Sequence, residues 1–341
     1  MRLLVANNAD PFVRGGAELL ADRLVVELRR AGHEAELLRL PLGSTPPQIV
    51  ASIIAASMLD VVNVDRVIGL KFPAYLIPHP EVVIWLVHQF RQAYDPPPVG
   101  WPPDPALDPV VSAIKAADRR AFAGATRLYA ISPMVAGRLR RSNGLEAEVL
   151  MTPPHADQEY RTQPAEDFIV ALGRVTDGKR QRVAIQAMRH ARPGYRLVVA
   201  GAMDSSATLD LIRREIDEAG IADRVELIPR FITEEEKIDL LARCIGSVYL
   251  PVDEDSYGYV TYEAAMSSKP TITGTDSGGT LALVEHGRTG LVVDPEPEAL
   301  ASAFDDFAGH RERTKAMGDN ARTLALELDL SWDHVIEELT R

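Results

Sequence analysis

Short apolar runs rich in Val, Leu and Ile alternate with amphipathic stretches of helical length along this chain, and the series runs through twice. Runs of this kind, lacking a polar residue at every second position, are what strands covered on both faces look like. The pattern therefore predicts parallel sheets sandwiched by helices. In the first series the strands are "RLLVA" (2–6), "EAELL" (34–38), "EVVIWLV" (81–87), "TRLYA" (126–130) and "AEVL" (147–150). Helices fall between them at 17–31, 48–57, 110–123 and from Met134. The segment "TPPHADQEYRTQPAED" then breaks the periodicity with polar residues and prolines, as an interdomain linker does. The second series runs from "FIVAL" through "RLVVA", "RVELI", "SVYL" and "PTIT" to "GLVV". At 341 residues the chain also exceeds what one core usually holds. The reading is an α/β protein of two Rossmann-like domains, residues 1–157 and 158–322. The last helix, within "LSWDHVIEELTR", crosses back, so that 323–341 rejoin the first domain.

Charge narrows the function. Residues 1–157 carry 16 basic and 16 acidic side chains and the remainder 21 and 33, so the net charge of -12 lies wholly in the second half. Such a chain lacks the cationic surplus that nucleic-acid phosphates require, and DNA and RNA are excluded as partners. Cys244 is the one cysteine and sits in an apolar segment, where a structural thiol is expected. The histidines, His79 and His155 among them, show no metal-ligand spacing, and no metal is expected. No apolar run approaches the length of a membrane span, and "MRLLVANNAD" is not a secretory signal, so a cytoplasmic protein is expected. Basic clusters in "AADRRAFAGATR" and "AGRLRRSNG" leave peripheral contact with a membrane surface open.

The stretch "YLPVDEDSYGYVTYEAAMSSKP" carries the most chemistry. An acidic cluster and a glycine follow a strand and open a helix, whose first amides and dipole favour a phosphate. Gly258, Tyr259 and Val260 are the candidates for that contact, with Tyr257 beside them. Glu263, one or two turns in, is placed for paired hydroxyls such as those of a ribose. Arg174 and Lys179 stand just past "FIVAL", at the strand ends where open α/β sheets bind ligands. Arg230 follows "RVELIP" and is a candidate contact to a base or phosphate. Neither half has the G-x-G-x-x-G fingerprint after its first strand, which argues against NAD or FAD.

These residues resemble glycosyltransferase family 4. The acidic stretch is similar to that family's pair of carboxylates eight residues apart around a glycine turn. Glu263 is the second acid; Asp255 is the first by count, or Glu254 if Ser256 is an extra residue in the turn. "GGAE", with Gly15 and Gly16, resembles the glycine loop that approaches the donor phosphates, and "TDSGGT", with Gly278 and Gly279, the second glycine loop. Arg174 and Lys179 look like the basic pair on the nucleotide diphosphate, and His88 of "VHQFR" like the histidine near the transferred sugar. Ala282 stands near a place where the family commonly has Glu.

The resemblance implies a GT-B fold, two Rossmann-like domains facing across a cleft. It also implies a metal-independent, retaining glycosyltransferase of glycan biosynthesis, needing no cofactor beyond its nucleoside-diphosphate-sugar donor. Donor base, sugar and hydroxyl acceptor (glycan, lipid-linked precursor or small molecule) stay open. The rival readings are a nucleotide-sugar epimerase or hydrolase and a non-catalytic nucleotide-sugar binder. The proline-rich segment "YDPPPVGWPPDPALDP", close after His88, is expected to be irregular and is a candidate lid or acceptor wall.

Overall fold

The computed structural model describes residues 1–9, 15–97, 99–154, 160–328 and 330–341, and the chain forms two compact units, residues 1–155 with 330–341 and residues 156–329. The boundary expected near Asp157 falls outside the described residues, as does His155.

The first unit is built from β1 (Arg2–Ala9), α1 (Gly16–Arg30), β2 (Glu34–Pro41), α2 (Pro46–Ser57), β3 (Arg66–Lys71), β4 (Val82–His88), α3 (Asp108–Gly124), β5 (Arg127–Ala130), α4 (Pro133–Asn143) and β6 (Glu148–Val149). Its strands are parallel in the order β2-β1-β3-β4-β5-β6. The chain steps outward from β1 to β2 and then crosses to the other side of β1 for β3. The switch point, where such sheets bind ligands, is therefore between β1 and β3. β3 is absent from the sequence reading. Gly69 interrupts its apolar run, and charged Arg66 and Lys71 bound it. The glycine is required by packing, since a Cβ there would lie 2.6 Å from Cβ of Tyr75.

The last helix, α11 (Trp332–Thr340), belongs to this first unit, as expected. Trp332, Val335, Ile336 and Leu339 lie on one face and are buried in the first core. The Trp332 ring meets that of Trp85 edge-on at 6.4 Å, and the Tyr129 hydroxyl donates to Glu338 Oε2 at 2.8 Å. The chain rejoins this unit at 330 rather than 323, because one uninterrupted helix, Arg311–Glu327, carries it to that point.

The second unit contains β7 (Phe168–Leu172), α5 (Gln181–Ala187), β8 (Arg196–Ala200), α6 (Ser206–Ala219), β9 (Val225–Ile228), α7 (Glu234–Arg243), β10 (Ser247–Val248), α8 (Tyr259–Met266), β11 (Thr271–Gly274), β12 (Gly290–Val293), α9 (Pro297–Gly309) and α10 (Arg311–Glu327). Its parallel order is β12-β11-β10-β7-β8-β9, which puts the switch point between β7 and β10. Cys244 is fully buried, and burial pushes its thiol up to about 12, so it is a packing residue as expected. Among the described residues no helix is long and apolar enough to cross a membrane.

Candidate active site

The two strands at the second switch point deliver most of the residues singled out in the sequence. β7 ends at Leu172, and Gly173 (φ +104°) turns the chain so that Arg174 emerges exposed. Its guanidinium forms no ion pair among the described residues. A 3-10 turn, Asp177–Lys179, follows and brings Lys179 back toward the end of β10. There the Lys179 ammonium donates to the Tyr249 hydroxyl at 2.5 Å and pairs with Glu254 Oε2, to which Tyr249 itself donates at 2.9 Å. The three groups close a ring of charge-assisted hydrogen bonds. Burial, followed by the Glu254 charge, raises the Tyr249 phenol well above its usual value, so it remains a neutral donor.

Of the two candidate first acids, Glu254 is the one joined to Lys179, while Asp255 sits half-buried beside it in the same turn. The turn is held from below by the second glycine loop. Gly279 N donates to Glu254 O at 2.8 Å, and Asp253 N to Asp276 O at 2.9 Å. A Cβ on Gly278 (φ +62°) would lie 2.6 Å from Glu254 N and O, and one on Gly279 2.5 Å from Ser256 O. Both glycines are thus needed for two backbones to touch. Arg180, which the sequence reading passed over, ties the two loops together. Its guanidinium meets Asp276 at 2.6 and 2.9 Å and donates to the carbonyls of Leu250 and Pro251.

Gly258 (φ +70°) precedes α8, so the amides of Tyr259 and Val260 fall in the first turn, where a helix offers no internal acceptor. Val260 is the neighbour a Cβ on Gly173 would meet, at 3.9 Å, which sets this helix start against the end of β7. Glu263 is buried, and Lys237 Nζ of α7 reaches its Oε1 at 2.6 Å while also lying 2.8 Å from Glu234. Burial raises the Glu263 carboxyl and Lys237 pulls it back. Lys237 escaped the sequence reading because a lysine on a helix face is usually solvated.

Two expected contacts are placed differently. The Tyr257 ring is fully buried and packs against Tyr259 and Tyr262 at 5.9 Å each, so its side chain belongs to the core and only its backbone borders the turn. Arg230 is turned to Glu236, at 2.6 and 3.0 Å, because Glu236 closes the capping box of α7 with Thr233 and offers a carboxylate beside it. That double contact holds the Glu236 carboxyl down at about 2.

In the first unit the expected residues also gather at the switch point. Gly15 caps α1, its amide donating to Glu18 Oε2 at 2.8 Å, and Gly16 opens the helix. Glu18 is buried and lies 3.7 Å from the ammonium of Lys71, at the end of β3. Lys71 is in register with His88, which ends β4. His88 Nδ1 lies 2.6 Å from Gln89 O, a contact that places the proton of a neutral ring on Nδ1. In the proline-rich segment Trp101 packs edge-on against Phe90 at 5.6 Å, and its amide donates to Gln92 O at 2.9 Å. No group of three or more metal-ligating side chains occurs among the described residues.

Residues 155–324 match the family model described as glycosyl transferases, group 1. Among curated proteins, the GDP-mannose-dependent alpha-(1-6)-phosphatidylinositol monomannoside mannosyltransferase of Mycobacterium tuberculosis is 27% identical over 247 residues, 66% of this chain and 61% of that protein. The D-inositol 3-phosphate glycosyltransferase of Jonesia denitrificans is 26% identical over 203 residues, 55% of this chain and 47% of that one. The chain thus spans about half to three-fifths of the length of these relatives. Two solved structures share the fold. Anabaena HepE in complex with UDP and glucose has a TM-score of 0.74 and 17% identity, covering 100% of this chain and 99% of that one. Sucrose-phosphate synthase from Thermosynechococcus elongatus has a TM-score of 0.77 and 16% identity, covering 99% and 97%. The fold is GT-B, and the chain belongs, through residues 155–324, to the glycosyl transferases of group 1.

Proposed function

We propose that this protein transfers a sugar from a nucleoside-diphosphate sugar to a hydroxyl acceptor, with retention of configuration and without a metal ion. The observation that carries the reading is the convergence of Arg174, Lys179 and Glu254 on the β7/β10 switch point, beside the α8 helix start. The diphosphate lies against the Arg174 guanidinium, the Lys179 ammonium and the first amides of α8, where fixed positive charge stabilises the negative charge that develops as it departs. Glu254 and Tyr249 hold Lys179 in position, and Glu254 or Asp255 faces the sugar hydroxyls. Glu263 takes the ribose.

The bond from the anomeric carbon to the diphosphate oxygen breaks, and the acceptor oxygen bonds to that carbon on the same face. The acceptor's proton passes to the departing phosphate oxygen. The mannosyltransferase relative, being GDP-mannose-dependent, supports the donor class, and the names of the two relatives support a lipid-linked or an inositol-phosphate acceptor.

The test is incubation with UDP-, GDP- and ADP-sugars in EDTA, with and without hydroxyl acceptors. Nucleoside diphosphate release is followed, and NMR reads the configuration of the product. The reading expects release of one diphosphate that depends on acceptor and survives EDTA, with the donor's configuration kept. Release at the same rate without acceptor would identify a hydrolase instead, and binding without turnover across acceptors a sugar-nucleotide sensor.

A further inference from the structure

A cavity of about 600 Å³ opens in the second unit at the opposite edge of the sheet from Arg174 and Lys179. Its lining includes Asp167, Ile245 and Lys269, which stand one or two residues before β7, β10 and β11, so it lies where the strands begin. The start of α10, with Arg311 and Lys315, forms another wall. α10 comes this close because Gly318 has no side chain; a Cβ there would lie 2.1 Å from Ser268 O.

Lys269 is 5% exposed, and its ammonium has a single hydrogen bond, a long one of 3.3 Å to Gln163 O. It has no carboxylate partner among the described residues. A lysine carried out of water is ordinarily neutralised or paired. Burial lowers its pKa, with the Arg311 and Lys315 charges adding to the effect and Cys244 and Asp319 opposing it. Arg311 lines the same cavity. Its Nη2 is taken by Asp167 and its Nε by Ala308 O, but its Nη1 is buried with no hydrogen-bond partner. The acids nearby are engaged or at the rim, Asp167 with Arg311, Asp319 with Lys315, and Glu312 exposed.

Lys269, buried with a single long hydrogen bond, and Arg311 both line one cavity that exceeds the room a bare ion needs and falls in the range of small-molecule pockets. We infer that this cavity binds a phosphoryl group, as free phosphate or as the monoester of a small metabolite, through Lys269 Nζ and the Arg311 guanidinium. Phosphate supplies the several anionic acceptors that a lysine and an arginine together can fill. The site does not depend on the donor edge, which lies across the sheet.

Calorimetric titration of the full chain with inorganic phosphate and with glucose 6-phosphate tests this, in the wild type, in Lys269→Met, in Arg311→Met and in the Arg174→Ala/Lys179→Ala double variant. Expected is one binding event per chain that persists in the double variant and weakens roughly tenfold or more in Lys269→Met and in Arg311→Met. Tighter binding of the ester assigns the cavity to a phosphorylated metabolite, and equal binding to the free ion. Absence of binding by both ligands overturns the inference. So does binding unchanged in both single variants, or binding lost only with Arg174 and Lys179. Should Lys269→Met not fold, Arg311→Met decides alone.

Discussion

Lys237 Nζ lies 2.6 Å from Glu263 Oε1, a contact between neighbouring helices in which the two side chains are only 16% and 11% exposed. Burial raises the Glu263 carboxyl, and the Lys237 charge beside it pulls it back down. Lys237→Met leaves that carboxylate buried without its cation, which costs on the order of 3 kcal/mol. Urea denaturation should show the loss, and adding Glu263→Gln should recover most of it. Equal stability of Lys237→Met and wild type would contradict the pairing. On the donor reading Glu263→Gln by itself also weakens donor binding.

Gly258 makes a steric prediction. Its φ is +70°, and a Cβ would lie 2.5 Å from Cε1 of Tyr249, the residue whose hydroxyl joins Lys179 to Glu254. Gly144, the C-cap of α4, has nearly the same φ, +69°, with nothing within 4 Å of its would-be Cβ. Alanine at either position costs about 1 kcal/mol or more through backbone strain. Only Gly258→Ala should also reduce donor affinity, because only there does the added methyl displace Tyr249. Matched thermal melts and donor titrations separate the two; equal donor affinity in both variants would refute the role given to Tyr249.

The strand ends were legible in the sequence because uninterrupted apolar runs stop where Arg174, His88 and the acidic turn begin. A glycine before a helix likewise marks the start of α8. What could not be read locally were partners far apart along the chain. Tyr249 ends an apolar segment and reads as core, yet its hydroxyl is the hinge of the Lys179–Glu254 pair. Lys237 stands 26 residues before Glu263, and nothing in the sequence ties the two. β3 was hidden by Gly69, a residue poor in strand propensity that is there to admit Tyr75. Arg230 and Tyr257 read as ligand contacts from position alone, and local pairing or packing claims their side chains.

A pH dependence follows from the first core. Asp118 is fully buried and accepts from the Tyr75 and Tyr94 hydroxyls at 2.9 and 2.8 Å. Burial nonetheless raises its carboxyl to about 6, the two hydrogen bonds opposing. The folded form then holds a proton that the unfolded chain has already released. The associated stability is fully present below about pH 4 and is lost as pH rises through about 6, an amount on the order of 3 kcal/mol. The difference in unfolding free energy between wild type and Asp118→Asn should change across this window and be flat above it. A difference independent of pH would contradict the raised carboxyl.

The central claim is that the end of β7 and the turn after β10 together hold a nucleoside diphosphate. Calorimetric titration with UDP, GDP and ADP in EDTA, on the wild type and on the Arg174→Ala/Lys179→Ala variant, tests it most directly. One nucleotide is expected to bind the wild type without metal, and this binding is expected to be lost in the variant. Binding of none of the three, or binding that the variant retains in full, would contradict it.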